Sequence, residues 1–245
     1  YGKMLQPGIA ARMSLTPGAI RSPAPAPDQH RGEILGELSS RTSNGGAKPT
    51  IQEALRSALA GVKVLDLCII LAGPTLGRTL AEFGADVIKI EHPVTGDAQR
   101  GLVQTGTVPI SGTDVNPFME HPNRGKRSLG LDLKHPDGLE LLYEIARSSD
   151  VFLTSFLPGS RAKLRIDVEH MRAQNPDIIY VRGSAFGVRG AEANKGGYDM
   201  TGFWCRAGRA SGVTPPALPG VLAQPAPAYG DSIGGMTIAG GIAGS

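Results

Sequence analysis

The chain has 245 residues, of which 40% are hydrophobic and 19% charged, a balance typical of a globular protein and not of a disordered chain. Its formal net charge of +3 is too small to indicate nucleic-acid binding. Two widely separated cysteines, Cys68 and Cys205, argue against a disulfide framework or a zinc site, and no apolar run approaches the roughly 20 residues that span a bilayer. We therefore expect a cytoplasmic protein without a bound metal.

The first 50 residues differ in composition from the remainder. The proline-rich stretch 22–27 is typical of polyproline II, residues 28–38 are predicted to form a short helix, and 39–50 have the composition of a linker. The region has too little apolar content to form a core of its own. One interpretation is a disordered extension, and a second follows from the resemblance given below.

A strand–helix–strand unit is predicted between residues 62 and 90. Residues 62–67 alternate and are rich in branched side chains, a helix over 72–83 has Pro74 in its first turn, and 86–90 form a second strand. This spacing implies two parallel strands joined by a right-handed crossover.

The alternation of strands and helices continues to residue 181. Further strands are predicted at 128–133, 150–154 and 177–181, with a helix over 136–148 and helical turns at 168–174. The fold class is therefore α/β, with a Rossmann-like open parallel sheet and flanking helices. The G-x-G-x-x-G fingerprint is absent after the first strand, which disfavours NAD or FAD.

The last 50 residues are predicted to contain a helix over 198–208, a proline-rich loop over 214–227 and a Gly/Ala-rich helix that opens with Gly230-Asp231. The given sequence stops inside that helix. Because Asp is favoured at helix starts, Asp231 by itself fits an ordinary helix cap. An exposed helix start would also offer N–H groups to a developing oxyanion.

Several segments, taken together and in order, resemble the family III CoA-transferases, the group of formyl-CoA and carnitine CoA-transferases and α-methylacyl-CoA racemase. The matching segments are 61–66, 71–74, 83–91, 123–128, 131–134, 156–159, 197–199 and 230–231. The resemblance covers residues 58–245 and roughly the first half of a family domain, so the expected large domain is incomplete.

Parts of residues 14–35 resemble the closing segment of a family domain. The resemblance implies a tandem protein, with 1–42 as the tail of a preceding domain, 43–57 as a linker and 58–245 as the truncated start of a second domain. Family members form interlocked dimers, so an interlocked homodimer or an intramolecular pseudo-dimer is implied. The 245 residues alone are expected to be inactive.

Asp231 falls at the position of the family's nucleophile. There, an aspartate attacks the acyl-CoA thioester, and an aspartyl-CoA thioester then passes CoA to an acceptor acid. The resemblance implies an acyl-CoA:carboxylate CoA-transferase, with acyl-CoA and a carboxylic acid as partners, coenzyme A as part of the substrate and no tightly bound cofactor. Tyr198 and Asp199 fall where the family places active-site side chains.

Two alternatives stay open. A racemase needs a second acid–base group, and the racemase branch has His where this sequence has Tyr198, whose phenol is a much weaker acid than imidazolium. A catalytically silent half of a tandem protein is the other, and the presence of Asp231 argues against it.

Nine further positions are implied to lie at the CoA site: Ile70, Leu71, His92, Leu131, Lys134, Ser155, Phe156, Lys163 and Leu164. Leu71 and His92 replace the Gln and Arg of formyl-CoA transferase, and Ser155 replaces a frequent Asn, which argues against formyl and oxalyl substrates. The densest basic cluster is expected at the mouth of the CoA site or on a solvated loop. It consists of Arg124, Lys126, Arg127 and Lys134. Trp204 fits an acyl-pocket residue and a core aromatic equally well.

Overall fold

The computed structural model of the protein describes residues 17–40, 57–102, 115–218 and 228–245. Within these ranges, five strands form one parallel sheet in the spatial order β3-β2-β1-β4-β5. The strands are β1 (Lys63–Leu67), β2 (Asp86–Glu91), β3 (Arg127–Gly130), β4 (Val151–Thr154) and β5 (Ile179–Arg182). The predicted Rossmann-like α/β sheet is confirmed.

Eight α-helices occur in the part of the chain that the structure describes. They are α1 (Arg31–Ser40), α2 (Ala72–Glu82), α3 (Pro117–Asn123), α4 (Pro136–Ala146), α5 (Pro158–Leu164), α6 (Val168–Gln174), α7 (Arg209–Val213) and α8 (Tyr229–Ala243). A 3₁₀ helix covers Ala98–Gly101 and a π-helix covers Met200–Arg206. None of the described helices is long and apolar enough to cross a membrane.

Both faces of the sheet are buried, which explains why its strands are rich in branched apolar residues. Successive side chains of a strand point to opposite faces. Thus Val64 of β1 packs with Leu76 and Leu80 of α2, whereas Leu65 belongs to the opposite cluster, with Leu142 of α4. Because helices cover both faces, the sheet is left uncovered at the carboxyl ends of its strands.

The predicted elements are found close to their expected places, with informative differences. β3 ends at Gly130, where its N–H donates to the Asp28 carboxylate (2.6 Å), so the strand is shorter than the predicted 128–133. Helices α3 and α5 were not predicted; each is only seven residues long and begins with proline, which favours the first turn. The predicted loop over 214–227 lies mostly outside the described residues.

Residues 17–40 pack along the edge strand β3. The N–H of His30 donates to the Ser128 carbonyl (3.0 Å), and Ile34 of α1 is buried in the core cluster with Leu65. These residues therefore close the edge of the sheet and do not extend away as a disordered segment. The linker predicted at 43–57 lies almost entirely outside the described residues, and the tandem arrangement stays a prediction.

Three of the four residues of the basic cluster lie neither on a solvated loop nor at the mouth of a cavity. Arg124 and Lys126 are fully buried and form ion pairs with Glu82 (2.7 Å) and Asp66 (2.6 Å). Arg127 pairs with Asp86 at 2.6 Å, and Lys134 is exposed in a turn. The expectation was wrong for the first three because their partner carboxylates come from α2, β1 and β2, far away in the sequence.

Candidate active site

A cavity of about 990 Å³ lies at the carboxyl ends of β1, β4 and β5. It opens where the strand order reverses, between β1 and β4, which is the place where open α/β sheets bind ligands. Its walls are the loop after β1, the start of α2, the loop between β4 and α5, the segment 183–199 after β5, the π-helix, and the first turns of α8.

Asp231 enters this cavity from the first turn of α8. The helix packs so closely on α2 that a Cβ at Gly235 would come within 2.6 Å of the Ala72 carbonyl. At Gly230 there is no room for a Cβ beside the ring of Phe203. Glycine at these two positions therefore lets the start of α8 lie against both α2 and the π-helix.

Asp199 holds the start of α8 in place. One oxygen of its buried carboxylate accepts the N–H groups of Gly230 (2.7 Å) and Asp231 (3.1 Å), and the other accepts the indole N–H of Trp204 (2.9 Å). The residue that precedes the helix, Ala228, offers no side-chain cap. Asp199 thus caps α8 from another element of the chain.

The carboxyl group of Asp231 is only partly solvated. Burial, and then the neighbouring charge of Asp199, raise its pKa to about 6. Among the described side chains, none donates a hydrogen bond to this carboxylate or forms an ion pair with it. At neutral pH it is mostly ionised, and its higher basicity makes it a better nucleophile than an ordinary aspartate.

The three predicted catalytic residues lie on the same cavity. Asp231 and Asp199 are joined through the start of α8, and Tyr198, whose residue surface is 69% exposed, precedes Asp199 on the rim. The N–H groups of Gly230 and Asp231 are already bound to Asp199. They are therefore not free to bind an oxyanion, as an exposed helix start would allow.

Five of the nine predicted CoA-site residues line the cavity: Ile70, Leu71, Ser155, Phe156 and Leu164. The other four lie outside its lining. Leu131 is buried in the core, Lys134 and Lys163 are exposed, and the exposed ring of His92 accepts the N–H groups of Val94 and Thr95 at 3.2 Å.

Several cavity residues were not singled out from the sequence. Arg161 of α5 donates to the Phe156 carbonyl (2.6 Å) and to Asp167 (3.2 Å), which fixes the loop after β4. Arg182 and Lys195 are exposed on the cavity wall and supply positive charge there. Isolated cations of this kind belong to no sequence motif. Only the topology of the sheet brings them together at the carboxyl ends of the strands.

Trp204 is a core aromatic and does not line the cavity. It is 4% exposed, and its ring centroid lies 5.3 Å from that of Phe203 and 6.1 Å from that of Tyr229. In the described ranges, no group of three or more His, Cys, Asp or Glu side chains is arranged to hold a metal ion.

Comparison with known proteins agrees with this geometry. Residues 59–244 match the model of CoA-transferase family III. The chain is 38% identical to the succinate–glutarate CoA-transferase of Agrobacterium fabrum over 160 residues, covering 63% of this chain and 40% of that protein. It is 34% identical to the human succinyl-CoA:glutarate CoA-transferase over 187 residues, covering 73% and 41%. The chain thus spans less than half the length of these curated relatives.

Solved structures give the same result. Rv3272 from M. tuberculosis superposes with a TM-score of 0.67 at 30% identity, covering 76% of this chain and 50% of that one. A CAIB/BAIF family protein from Brucella suis gives a TM-score of 0.65 at 33% identity, with 76% and 48% covered. On its sequence and its fold, the chain belongs to CoA-transferase family III.

Proposed function

We propose that the protein is an acyl-CoA:carboxylate CoA-transferase that works by a ping-pong reaction through Asp231. The observation that carries the proposal is a partly buried carboxylate with a pKa of about 6, held in the cavity at the carboxyl edge of the sheet. Such a group is ionised at neutral pH and needs no separate base to act as a nucleophile.

The first half-reaction loads CoA onto the protein. A carboxylate oxygen of Asp231 attacks the thioester carbonyl, the C–S bond breaks, and an acyl–aspartyl anhydride and CoA thiolate form. The thiolate then attacks the aspartyl carbonyl, which releases the donor carboxylate and leaves an aspartyl-CoA thioester. Because the N–H groups of Gly230 and Asp231 hold Asp199, Asp199 acts as a positioning residue for the nucleophile.

The second half-reaction reverses these steps with the acceptor. Its carboxylate attacks the aspartyl carbonyl and expels CoA thiolate, which then attacks the acceptor's acyl carbon in the new anhydride. Acyl-CoA is released and the Asp231 carboxylate is restored. Coenzyme A is thus a substrate component, and the chemistry uses no tightly bound cofactor.

The names of similar proteins support CoA transfer between organic acids as the reaction class. They include succinate–glutarate and cinnamoyl-CoA:phenyllactate CoA-transferases. We extend to this protein only an acyl-CoA donor and a carboxylic acid acceptor, bound in part by Ile70, Leu71, Ser155, Phe156 and Leu164. Exposed Arg182 and Lys195 are further candidates for contacts with CoA phosphates.

The larger assembly is proposed on the same basis. The hydrogen bonds between residues 17–40 and β3 support the proposal that this segment closes a family domain. Residues 1–42 would then end one transferase-like domain and 58–245 begin another, in an interlocked homodimer or an intramolecular pseudo-dimer located in the cytoplasm.

The test is mass spectrometry of the complete gene product after incubation with a panel of acyl-CoA thioesters, with hydroxylamine or borohydride as the trap. We expect modification of the peptide that contains Asp231. Asp231→Asn should abolish both trapping and turnover, whereas Asp137→Asn, at an exposed surface position, should leave both unchanged.

Two other outcomes would reject the transferase. An unmodified Asp231 together with α-proton exchange into solvent would indicate a racemase. If no thioester gives either a modified Asp231 or α-proton exchange, the protein is a catalytically silent partner.

A further inference from the structure

The loop between β1 and α2, residues 68–71, forms one wall of the cavity in an unusual backbone conformation. Ile70 has a φ of 69°, in the left-handed region. A β-branched residue is strongly disfavoured there and persists only where its surroundings impose the conformation. The contacts that hold Ile70 therefore determine the shape of this wall.

Three consecutive N–H groups of the loop donate to side chains from three different elements. Cys68 donates to Asp66 of β1 (2.9 Å), and Ile69 donates to Ser155 after β4 (3.0 Å). Ile70 donates to Asp97, which follows β2 (3.2 Å). The loop is thus fixed from both sides of β1.

Asp97 is itself held by a buried lysine. Lys89 of β2 donates to the Asp97 carboxylate (3.0 Å) and to the Cys68 carbonyl (2.9 Å), and both charged side chains are completely buried. When the Gln99 amide is assigned so that its nitrogen faces the Ile70 and Phe118 carbonyls, this nitrogen donates to both of them. Both ends of the strained segment are therefore bound by residues that do not line the cavity.

We infer that Lys89 and Asp97 are positioning residues for acyl-CoA binding, which act through the backbone of the 68–71 loop. The inference rests on the proposed function and deepens it. Lys89 and Asp97 hold Ile70 in the conformation that places Ile69, Ile70 and Leu71 on the cavity wall. Releasing Ile70 to an ordinary negative φ would move this wall and weaken binding of the thioester.

Lys89 and Asp97 would also be needed for activity if they only stabilised the fold. A second buried ion pair, away from the cavity, therefore serves as a control. Arg124 and Glu82 form another buried ion pair, with nitrogen–oxygen distances of 2.9 and 2.7 Å, and neither residue lines the cavity. Glu82 also lies 3.7 Å from the Arg78 guanidinium. Glu82→Gln therefore perturbs a buried ion pair without releasing Ile70.

The reactivity of a cysteine thiol in the chain can report a change in the conformation of the 68–71 loop. Cys68 is buried at one end of the loop and Cys205 is exposed on the π-helix. In the complete gene product, alkylation of each thiol by iodoacetamide is followed by peptide mass spectrometry, with Cys205 as the internal reference. The variants are Asp97→Asn, Glu82→Gln and the double variant Lys89→Met/Asp97→Asn, which leaves no unpaired buried charge if the single variant fails to fold.

In Asp97→Asn and in the double variant, we expect Cys68 to be alkylated about tenfold faster relative to Cys205. We also expect the KM for acyl-CoA to rise about tenfold or more with a smaller change in kcat. Glu82→Gln should leave the Cys68 rate and the KM within about twofold of the wild type at a temperature where all variants are folded.

The inference is overturned if Glu82→Gln and Asp97→Asn act alike on both readouts, or if the double variant binds acyl-CoA as the wild type does. In those cases the transferase function still stands, because wild-type turnover is measured in parallel. If the wild type turns over no thioester, the proposed function fails and the inference falls with it, whatever the reactivity of Cys68.

Discussion

Charged side chains are arranged differently on the two sides of the carboxyl end of β1. Toward β2 and β3, buried charges come in pairs, as in Lys126–Asp66 (2.6 Å) and Lys89–Asp97 (3.0 Å). Toward α8, the described residues bring together two carboxylates, Asp199 and Asp231, with only N–H groups as hydrogen-bond donors. Aspartates are thus paired with lysines on one side, and on the other side two aspartates are neighbours without a described cation between them.

The pKa values follow this difference. Burial alone would raise the pKa of Asp66, but Lys126 and Lys89 hold it below its ordinary value. Burial and the charge of Asp199 raise the pKa of Asp231 to about 6, and no cation among the described residues opposes them. Environment, and not residue type, thus separates a structural carboxylate from a candidate nucleophile.

The largest expected effect comes from breaking a pair on the structural side. Lys126→Met removes the partner of Asp66 and leaves a fully buried carboxylate without its nearest cation. We expect the free energy of unfolding to fall by about 3–5 kcal/mol, measured by urea denaturation at pH 7. Lys134→Met, at an exposed lysine, should change it by less than about 0.5 kcal/mol.

The double variant Asp66→Asn/Lys126→Met checks the cause. Because it buries no unpaired charge, it should recover a large part of the stability that Lys126→Met loses. Equal losses in the single and double variants would mean that packing, and not charge pairing, explains the effect.

An intermediate effect is expected from Asp199. Asp199→Asn keeps the size of the side chain, but its amide cannot accept from both the Trp204 indole and the start of α8. We expect kcat/KM to fall by about 10- to 100-fold. The loss of a neighbouring negative charge should also lower the pKa of Asp231.

The pH profile separates these two consequences. In the wild type, kcat/KM should rise with pH through about 6 as Asp231 ionises, and in Asp199→Asn this midpoint should move to lower pH. Since burial is the larger cause of the raised pKa, the midpoint should stay above the ordinary value of 3.8. An unmoved midpoint would show that another group controls the profile.

The sheet could be predicted from the sequence because its strands are buried on both faces and are marked by branched apolar residues. Asp231 was located by resemblance, since an aspartate at a helix start is also an ordinary cap. The cavity's position follows from the strand order, which a pattern of single elements does not specify.

The ion pairs could not be predicted in the same way. Lys126 and Asp66 are 60 positions apart, and Arg124 and Glu82 are 42 apart. Local charge density therefore indicated a surface cluster where the fold buries each cation against its own carboxylate. The left-handed conformation of Ile70 was equally hidden, because its cause is tertiary contact and its residue type disfavours it.

The smallest expected effect is a gain in stability from a substitution at the proposed nucleophile, Asp231. The folded-state pKa of Asp231 is about 6, above its ordinary value of 3.8, so the folded protein disfavours the ionised form. The stability of the wild type should therefore fall as pH rises from about 4 to about 6. Asp231→Asn removes this penalty and should stabilise the fold by about 1 kcal/mol at pH 7, after discounting for solvent screening.

Thermal unfolding of both proteins at pH 4 and pH 7 measures this effect. The two should unfold at nearly the same temperature at pH 4, where Asp231 is protonated when folded, and the variant should unfold at the higher temperature at pH 7. A variant that is less stable at pH 7 would mean that the ionised Asp231 has a stabilising partner. The contrast with the paired charges near β2 and β3 would then fail, since Asp231 would be one more paired charge.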